Sequence, residues 1–126
     1  MSEINNRNDK KKVLLTGGAG YIGSHVAVEL LESGFDIVIA DDFSNSSEES
    51  LMGIRKITGR DFPFYNIDIC DKLSLYDLFE REQIDVVIHL AGYKAVDEAI
   101  KSPLKYYQNN IVATITLLEV MDAHEV

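Results

Sequence analysis

The sequence predicts an incomplete doubly wound α/β fold in which four parallel strands lie in the order 3-2-1-4. Three observations lead there. Short apolar runs alternate with longer segments of helical spacing, a glycine cluster divides the first strand from the first helix, and 126 residues suffice for one domain but not two. Right-handed crossovers turn four strand-helix units into a parallel sheet, here the first half and a little more of the full fold.

The elements follow in order. Residues 1–10 are polar and lack the apolar centre of a secretory signal, so they read as a disordered tail ahead of a folded part at 11–126. Lys11 to Thr16 gives an apolar run suited to a strand buried on both faces. From Tyr21 to Ser33, Ile22, Val26, Ala27, Leu30 and Leu31 recur at helical spacing, and Gly34 stands where a helix end takes a left-handed residue. Asp36 to Ala40 is a second strand, closed by Asp41-Asp42 and the turn residues Ser44 to Ser47. A weakly patterned helix spans Glu48 to Ile57, and Phe62 to Ile67 is a third strand with Pro63 near its start. Asp71 is an N-cap for a helix whose apolar stripe is Leu75, Leu78 and Phe79, ending near Glu82. Asp85 to Leu90 is nearly all apolar, as a strand covered on both faces would be, and Ala91-Gly92 breaks it. Ser102 as N-cap and Pro103 at the first helical position open a long last helix with Leu104, Tyr107, Ile111, Ile115 and Leu118 on one face.

Composition narrows the function classes. Apolar residues at 46% and charged residues at 26% describe an ordinary globule, neither a disordered chain nor a disulfide-stapled miniprotein. A net charge of -9 repels phosphate backbones, which argues against nucleic acid and anionic membranes as partners. One cysteine, Cys70, forms no internal disulfide, and no run reaches the length of a membrane span, so a reducing, cytoplasmic setting is expected. Neither His25 nor His89 has ligand-spaced neighbours; both read as packing residues, Cys70 as a small hydrophobe, and no metal site is expected.

The sharpest feature is Thr16-Gly17-Gly18-Ala19-Gly20-Tyr21-Ile22-Gly23, between a predicted strand and a predicted helix. It satisfies G-x-G-x-x-G through Gly18, Gly20 and Gly23, and G-x-x-G-x-x-G through Gly17, Gly20 and Gly23. Glycine serves three purposes in such a loop: a tight turn, backbone approach to a pyrophosphate, and close packing of helix on strand. Free amides and the positive end of the helix dipole then hold the anion. Asp41 falls about 20 residues farther on, at the end of the second strand, where a carboxylate accepts both hydroxyls of an adenosine ribose and repels a 2′-phosphate. The pattern is that of a Rossmann-type fold, with NAD favoured over NADP. A flexible turn for the glycines and a solvated turn for Asp41 are the bland alternatives.

Several spaced segments together resemble the UDP-glucose 4-epimerases, a family of extended short-chain dehydrogenases/reductases. They are Thr16 to His25, Asp41 with Ser44-Asn45-Ser46, Asp68-Ile69, Ala91 to Val96, and Pro103 to Asn110, so that the likeness runs from about Lys12 to the last residue. The resemblance implies that Gly17, Gly20, Tyr21, Ile22 and Gly23 embrace the NAD pyrophosphate, that Asp41 binds ribose, and that Asp42, Asn45 and Ser46 lie near the adenosine end. It implies adenine contacts for Asp68 and Ile69, a cofactor lining from Leu90, Ala91, Gly92 and the countercharge Lys94, and a place for Asn109 facing the nicotinamide half. Two segments depart from the family pattern. Asp41-Asp42 stands where Asp-Asn is usual, and Lys94 to Ala99 reads Lys-Ala-Val-Asp-Glu-Ala where Lys-Ala-Val-Gly-Glu-Ser is expected.

The family's reaction implies a UDP-hexose substrate, a tyrosine that takes the C4 hydroxyl proton while the C4 hydride passes to NAD, and a 4-keto intermediate that turns over and takes the hydride back. A lysine four residues after that tyrosine lowers its pKa, and a serine orients the substrate. The residues four places after Tyr21, Tyr65, Tyr76, Tyr93, Tyr106 and Tyr107 are His25, Ile69, Glu80, Asp97, Asn110 and Ile111, so this sequence has no Tyr-x-x-x-Lys and no catalytic residue to assign. In the family, that pair and the sugar-nucleotide region lie beyond the position matching Val126, and the complete enzyme is expected to be a homodimer. Two readings stay open: the NAD-binding part of an epimerase or a related sugar-nucleotide epimerase or dehydratase, inactive alone, and a stand-alone NAD-binding module.

Overall fold

The computed structural model describes residues 10–44, 46–92 and 96–126; most of the expected tail, Asn45 and residues 93–95 lie outside them. The strands are β1 (Lys12–Thr16), β2 (Asp36–Asp41), β3 (Phe64–Asn66) and β4 (Val86–His89). The helices are α1 (Tyr21–Glu32), α2 (Glu48–Thr58), α3 (Lys72–Arg81), α4 (Val96–Lys101) and α5 (Pro103–Ala123). All strand pairs are parallel and the order is β3-β2-β1-β4, as expected from the sequence. The chain steps outward from β1 to β3 and then returns to the other side of β1, so the carboxyl ends of β1 and β4 flank the point where the winding reverses.

Alternation along the two central strands builds two cores. Leu14, Val38 and Ala40 face α3 and α5, packing with Leu75, Leu78, Phe79, Leu117 and Val120. Leu15, Ile37 and Ile39 point the other way, against Ala27 and Leu31 of α1 and Leu51 and Ile54 of α2. Each valine, leucine, isoleucine or phenylalanine among them, fully buried, contributes roughly 1.5–3 kcal/mol from area removed from water. Burial on both faces is why β1 reads as a continuous apolar run.

The local signals at α1 and α3 match the structure. Gly34 takes a φ of 91° just past α1, the left-handed conformation expected there. The Asp71 side chain accepts a hydrogen bond from the Ser74 backbone N–H at 3.3 Å and another from the Ser74 hydroxyl at 2.7 Å. These two bonds, the hydroxyl first, hold the Asp71 carboxyl below its ordinary pKa. Its stabilisation is therefore present above the unfolded carboxylate pKa and is lost as pH falls through the lower folded value. Asp71→Ala is expected to lower the melting temperature by a few degrees at neutral pH, with the difference from wild type closing in acid. Thermal denaturation followed by circular dichroism across that range checks both halves.

Four expectations need correction. β3 is only Phe64–Asn66, shorter than Phe62 to Ile67, although the Pro63 carbonyl still accepts from Ile39 N–H at 3.1 Å. β4 is not covered on both faces as its composition suggests: it is half-buried, with Val86 43% exposed, and stands at the edge of the sheet, where the expected strand order 3-2-1-4 itself puts it. α4 is an additional short helix ahead of α5, in a segment whose six residues are too few to show a helical period. On α5 the stripe Leu104, Tyr107, Ile111, Ile115 and Leu118 faces outward, and Leu104 is 80% exposed. The buried positions are Tyr106, Ala113, Thr116, Leu117 and Val120, because α3 packs against that side. α5 is apolar on two sides, so spacing alone selects the wrong one.

The end of α5 is fastened to α3 by His124. Its Nδ1 lies 2.8 Å from the Val120 carbonyl and its Nε2 2.9 Å from Glu80 Oε1, while its ring packs beside Tyr76 and Phe79. Donation from both nitrogens requires the imidazolium. The Val120 carbonyl, and then Glu80, raise the His124 pKa against the opposing effect of burial. A raised folded pKa means stability that is complete below the unfolded value near 6.5 and is lost as pH rises through the folded one. Between about pH 6 and about pH 8.5, wild type is expected to lose more melting temperature than His124→Gln, which a pH series of thermal melts measures.

Candidate functional site

A cleft of about 420 Å³ opens at the carboxyl ends of the strands. Its middle is the β1–α1 loop. Gly17 has a φ of 73°, and a Cβ there would stand 2.7 Å from the Ala91 backbone nitrogen, so the loop passes tightly beneath the end of β4. Gly23, in the first turn of α1, lies against the Gly17 carbonyl oxygen, and a Cβ would also fall 2.8 Å from the Gly18 α carbon. These two positions set α1 down on the loop. Gly20 is the α1 N-cap, no side chain caps the helix start, and no acidic residue occupies its first turn. The α1 N-terminus thus directs open amides and its positive dipole end at the cleft. Tyr21 and Ile22, 82% and 56% exposed, stand at its rim.

On one flank the cleft ends at Asp41, whose side chain is only 7% exposed in the residue as a whole. Its Oδ2 accepts from Ala19 N–H at 3.0 Å, and its Oδ1 accepts from Phe43 N–H at 2.8 Å and from the Ser46 hydroxyl at 2.9 Å. The carboxylate therefore ties the glycine loop to the loop after β2, a function that the sequence reading did not include. A carboxylate has about four lone-pair sites, so Oδ2 retains capacity toward the cleft. Asp42 is exposed and accepts from Ser44 N–H at 2.9 Å, needing no amide of its own to close that turn. Farther along, the exposed Asp68 and the buried Ile69 present a carboxylate and an apolar wall side by side.

The opposite flank is the chain after β4, where Leu90, Ala91 and Gly92 line the cleft together with Asn109 of α5. Leu90 N–H donates to the Thr16 carbonyl at 2.9 Å, continuing the β1–β4 pairing into the cleft wall. Cys70 sits behind this wall, its thiol 3.6 Å from the Asn109 carbonyl; burial, with Asp68 nearby, pushes the thiol pKa up, as suits a packing residue rather than a nucleophile.

Of the residues expected from the sequence, the cleft brings together Gly17, Gly20, Tyr21, Ile22, Asp41, Asp42, Ser46, Asp68, Ile69, Leu90, Ala91, Gly92 and Asn109. Gly23 lies one layer behind. Asn45 and Lys94 are outside the described residues. Three lining residues were missed: Ser44, Ile67 and Ala113. Ala113 stands four residues after Asn109 on α5, so helical spacing could have found it; Ser44 opens the Ser44-Asn45-Ser46 segment that carries the family resemblance, and Ile67 carries no such signal. No lysine or arginine lines the cleft among the described residues, and no group of three metal-ligating side chains occurs among them. No described helix is long and apolar enough to cross a membrane.

The residues from 14 to 126 match the family model described as GDP-mannose 4,6 dehydratase. The chain is 50% identical over 115 residues to a UDP-glucose 4-epimerase of Dictyostelium discoideum, covering 91% of this chain and 33% of that protein. It is also 50% identical over 114 residues to a UDP-glucose 4-epimerase of Bacillus subtilis, covering 90% and 34% respectively. Among solved structures, the UDP-glucose 4-epimerase of Bifidobacterium longum in complex with NAD+ and UDP superposes with a TM-score of 0.90 at 42% identity, over 92% of this chain and 35% of that one. The UDP-Glc/GlcNAc 4-epimerase of Campylobacter jejuni gives 0.86 at 37% identity, over 92% and 35%. The chain spans about a third of the length of the curated relatives it matches.

Proposed function

Since this chain belongs to the GDP-mannose 4,6 dehydratase family, and its relatives include UDP-glucose 4-epimerases at half identity, we infer that it is the NAD-binding part of a UDP-glucose 4-epimerase. The observation that carries the reading is the uncapped α1 N-terminus, seated on the loop by Gly17 and Gly23 at the centre of a cleft bounded by Asp41. The names of the relatives favour an epimerase over a dehydratase.

The residues present fit the cofactor. Open amides of Tyr21 and Ile22, with the helix dipole, would hold the pyrophosphate without help from a cation, which the chain's negative charge requires, while the Gly20 amide closes the loop on the Gly17 carbonyl at 3.1 Å. Gly17, Gly20 and Gly23 leave no Cβ between backbone and phosphate or between helix and loop. Asp41 would take a ribose hydroxyl at its free Oδ2 capacity, with Ser46 held on Oδ1 and Asp42 next to it in the chain; for Asn45 the role near the adenosine end is proposed from the family resemblance alone. Asp68 and Ile69 would flank adenine. Leu90, Ala91, Gly92, Lys94 and Asn109 would line the nicotinamide half. NAD, when bound, supplies the acceptor for the sugar C4 hydride. The UDP-hexose, the interconversion of UDP-glucose and UDP-galactose through a 4-keto sugar, a homodimeric whole enzyme and a cytoplasmic location all belong to the same reading.

Two negative charges at the end of β2 give it a direct test. Titration of the folded chain with NADH and with NADPH, followed by fluorescence, is expected to show NADH bound about tenfold or more tightly. Equal affinities would contradict the assignment of Asp41. With no Tyr-x-x-x-Lys, the chain alone is expected to give no UDP-galactose from UDP-glucose; measurable turnover would place catalysis elsewhere.

A further inference from the structure

Resting on the NAD-binding reading above, we propose that His89 is a positioning residue for the cofactor cleft, which as a neutral imidazole protonated on Nε2 locks the wall after β4 to β1 and α5. His89 does not itself line the cleft; Leu90, Ala91, Asn109 and Ala113 around it do.

The proton arrangement follows from Thr16, the fully buried last residue of β1. Its Oγ1 accepts from Ala91 N–H at 3.2 Å and shares Leu90 N–H at 3.0 Å with the Thr16 carbonyl. With both lone pairs engaged, the hydroxyl has only its proton to offer His89 Nδ1, which lies 2.6 Å away. Nδ1 is therefore an acceptor. On the other side, Thr114 Oγ1 gives its proton to the Asn110 carbonyl at 2.8 Å, and so receives Nε2–H at 3.3 Å.

One polarity runs through the whole chain of bonds. The amides of Leu90 and Ala91 point at Thr16, Thr16 points at His89, and His89 points through Thr114 at the turn of α5 that carries Asn109 and Asn110. The same turn meets the wall at Gly92, where a Cβ would fall 2.9 Å from Asn110 Oδ1. His89 thus joins the ends of β1 and β4 to α5 directly behind the flank that Leu90, Ala91, Gly92 and Asn109 line, and a polar side chain of donor and acceptor character at its two ring positions is needed to complete the relay.

The test uses the full chain. Nitrogen-15 NMR of the imidazole at neutral pH is expected to show His89 protonated on Nε2 and bare on Nδ1; the opposite tautomer or an imidazolium would overturn the proposal. Calorimetric NAD titrations then compare His89→Phe and His89→Asn with wild type. The phenylalanine variant, which keeps ring volume and removes both nitrogens, is expected to bind NAD about tenfold more weakly. The asparagine variant, whose Oδ1 can accept from Thr16, is expected to recover to within about threefold. Affinity in His89→Phe within about twofold of wild type, or no recovery in His89→Asn at matched melting temperature, would refute a positioning role. Should His89→Phe fail to fold, Thr114→Val removes only the exposed outer link, and unchanged NAD affinity there would also refute it. If wild type binds no NAD, the cofactor reading itself fails, and the tautomer measurement decides the hydrogen-bond assignment by itself.

Discussion

Gly23→Ala is expected to lower the melting temperature of this chain by roughly 10 °C, the largest effect of any single methyl group added to it. The added carbon would overlap the Gly17 carbonyl oxygen and press on the Gly18 α carbon at 2.8 Å. Both neighbours are backbone, so neither can rotate away, and relief requires α1 to lift from the loop. Lifting it opens the contacts of Ala27 and Leu31 with β1 and β2, at a cost of about 2–4 kcal/mol from overpacking and lost burial. Gly53→Ala is the matched control. Gly53 lies inside α2 with nothing within 4 Å of an added Cβ. Alanine there relieves the entropic cost of a mid-helix glycine, so a gain of about 0.5–1 kcal/mol is expected. Thermal denaturation of the two variants should give shifts of opposite sign.

Asp41→Ala is expected to abolish measurable NAD binding and to destabilise the fold on its own account. The substitution leaves the buried Ala19 amide without its acceptor and releases Phe43 N–H and the Ser46 hydroxyl. Hydrogen bonds to a carboxylate contribute about 1.5–3 kcal/mol each in favourable cases, so a loss on the order of 3 kcal/mol is expected after solvent replaces the outer two. The glycine loop would then lose its tether to β2, and the site the acceptor proposed for ribose, through one residue. Asp41→Asn separates the two effects. It can keep the Phe43 and Ser46 bonds on Oδ1 while turning an amide donor toward Ala19 N–H, so binding should weaken by about tenfold or more with a smaller loss of stability. Calorimetry with NAD and denaturant melts on both variants distinguish the contributions.

Much of this was legible in the sequence because it is local or periodic. The apolar run of β1, the glycine spacing after it, the Asp71 cap and the Leu75, Leu78, Phe79 stripe each follow from a few neighbouring residues, and the strand order follows from their succession. What failed depends on tertiary partners. α5 is apolar on two sides, and only the position of α3 decides that Leu117 and Val120 are inside while Ile115 and Leu118 are outside. β4 has the composition of a covered strand, yet its place beside β1 leaves Val86 exposed.

The site divides in the same way. The glycines, Asp41 and the segment after β4 carry sequence signals and line one cleft. The grip of Asp41 on Ala19 and Ser46, and the relay from Thr16 through His89 to Thr114, join residues far apart in the chain by hydrogen bonds that no spacing rule encodes.

The central claim is that NAD lies across the α1 N-terminus in this cleft. Two-dimensional nitrogen-15 NMR of the folded chain during an NAD titration tests it most directly. The account predicts saturable shifts concentrated in the amides of Gly17 through Ile22, with a second group at Leu90 through Gly92 and a third at Asp68 and Ile69. Absence of saturable shifts, or shifts gathered on the outward face of α5 with the α1 loop unmoved, would contradict it.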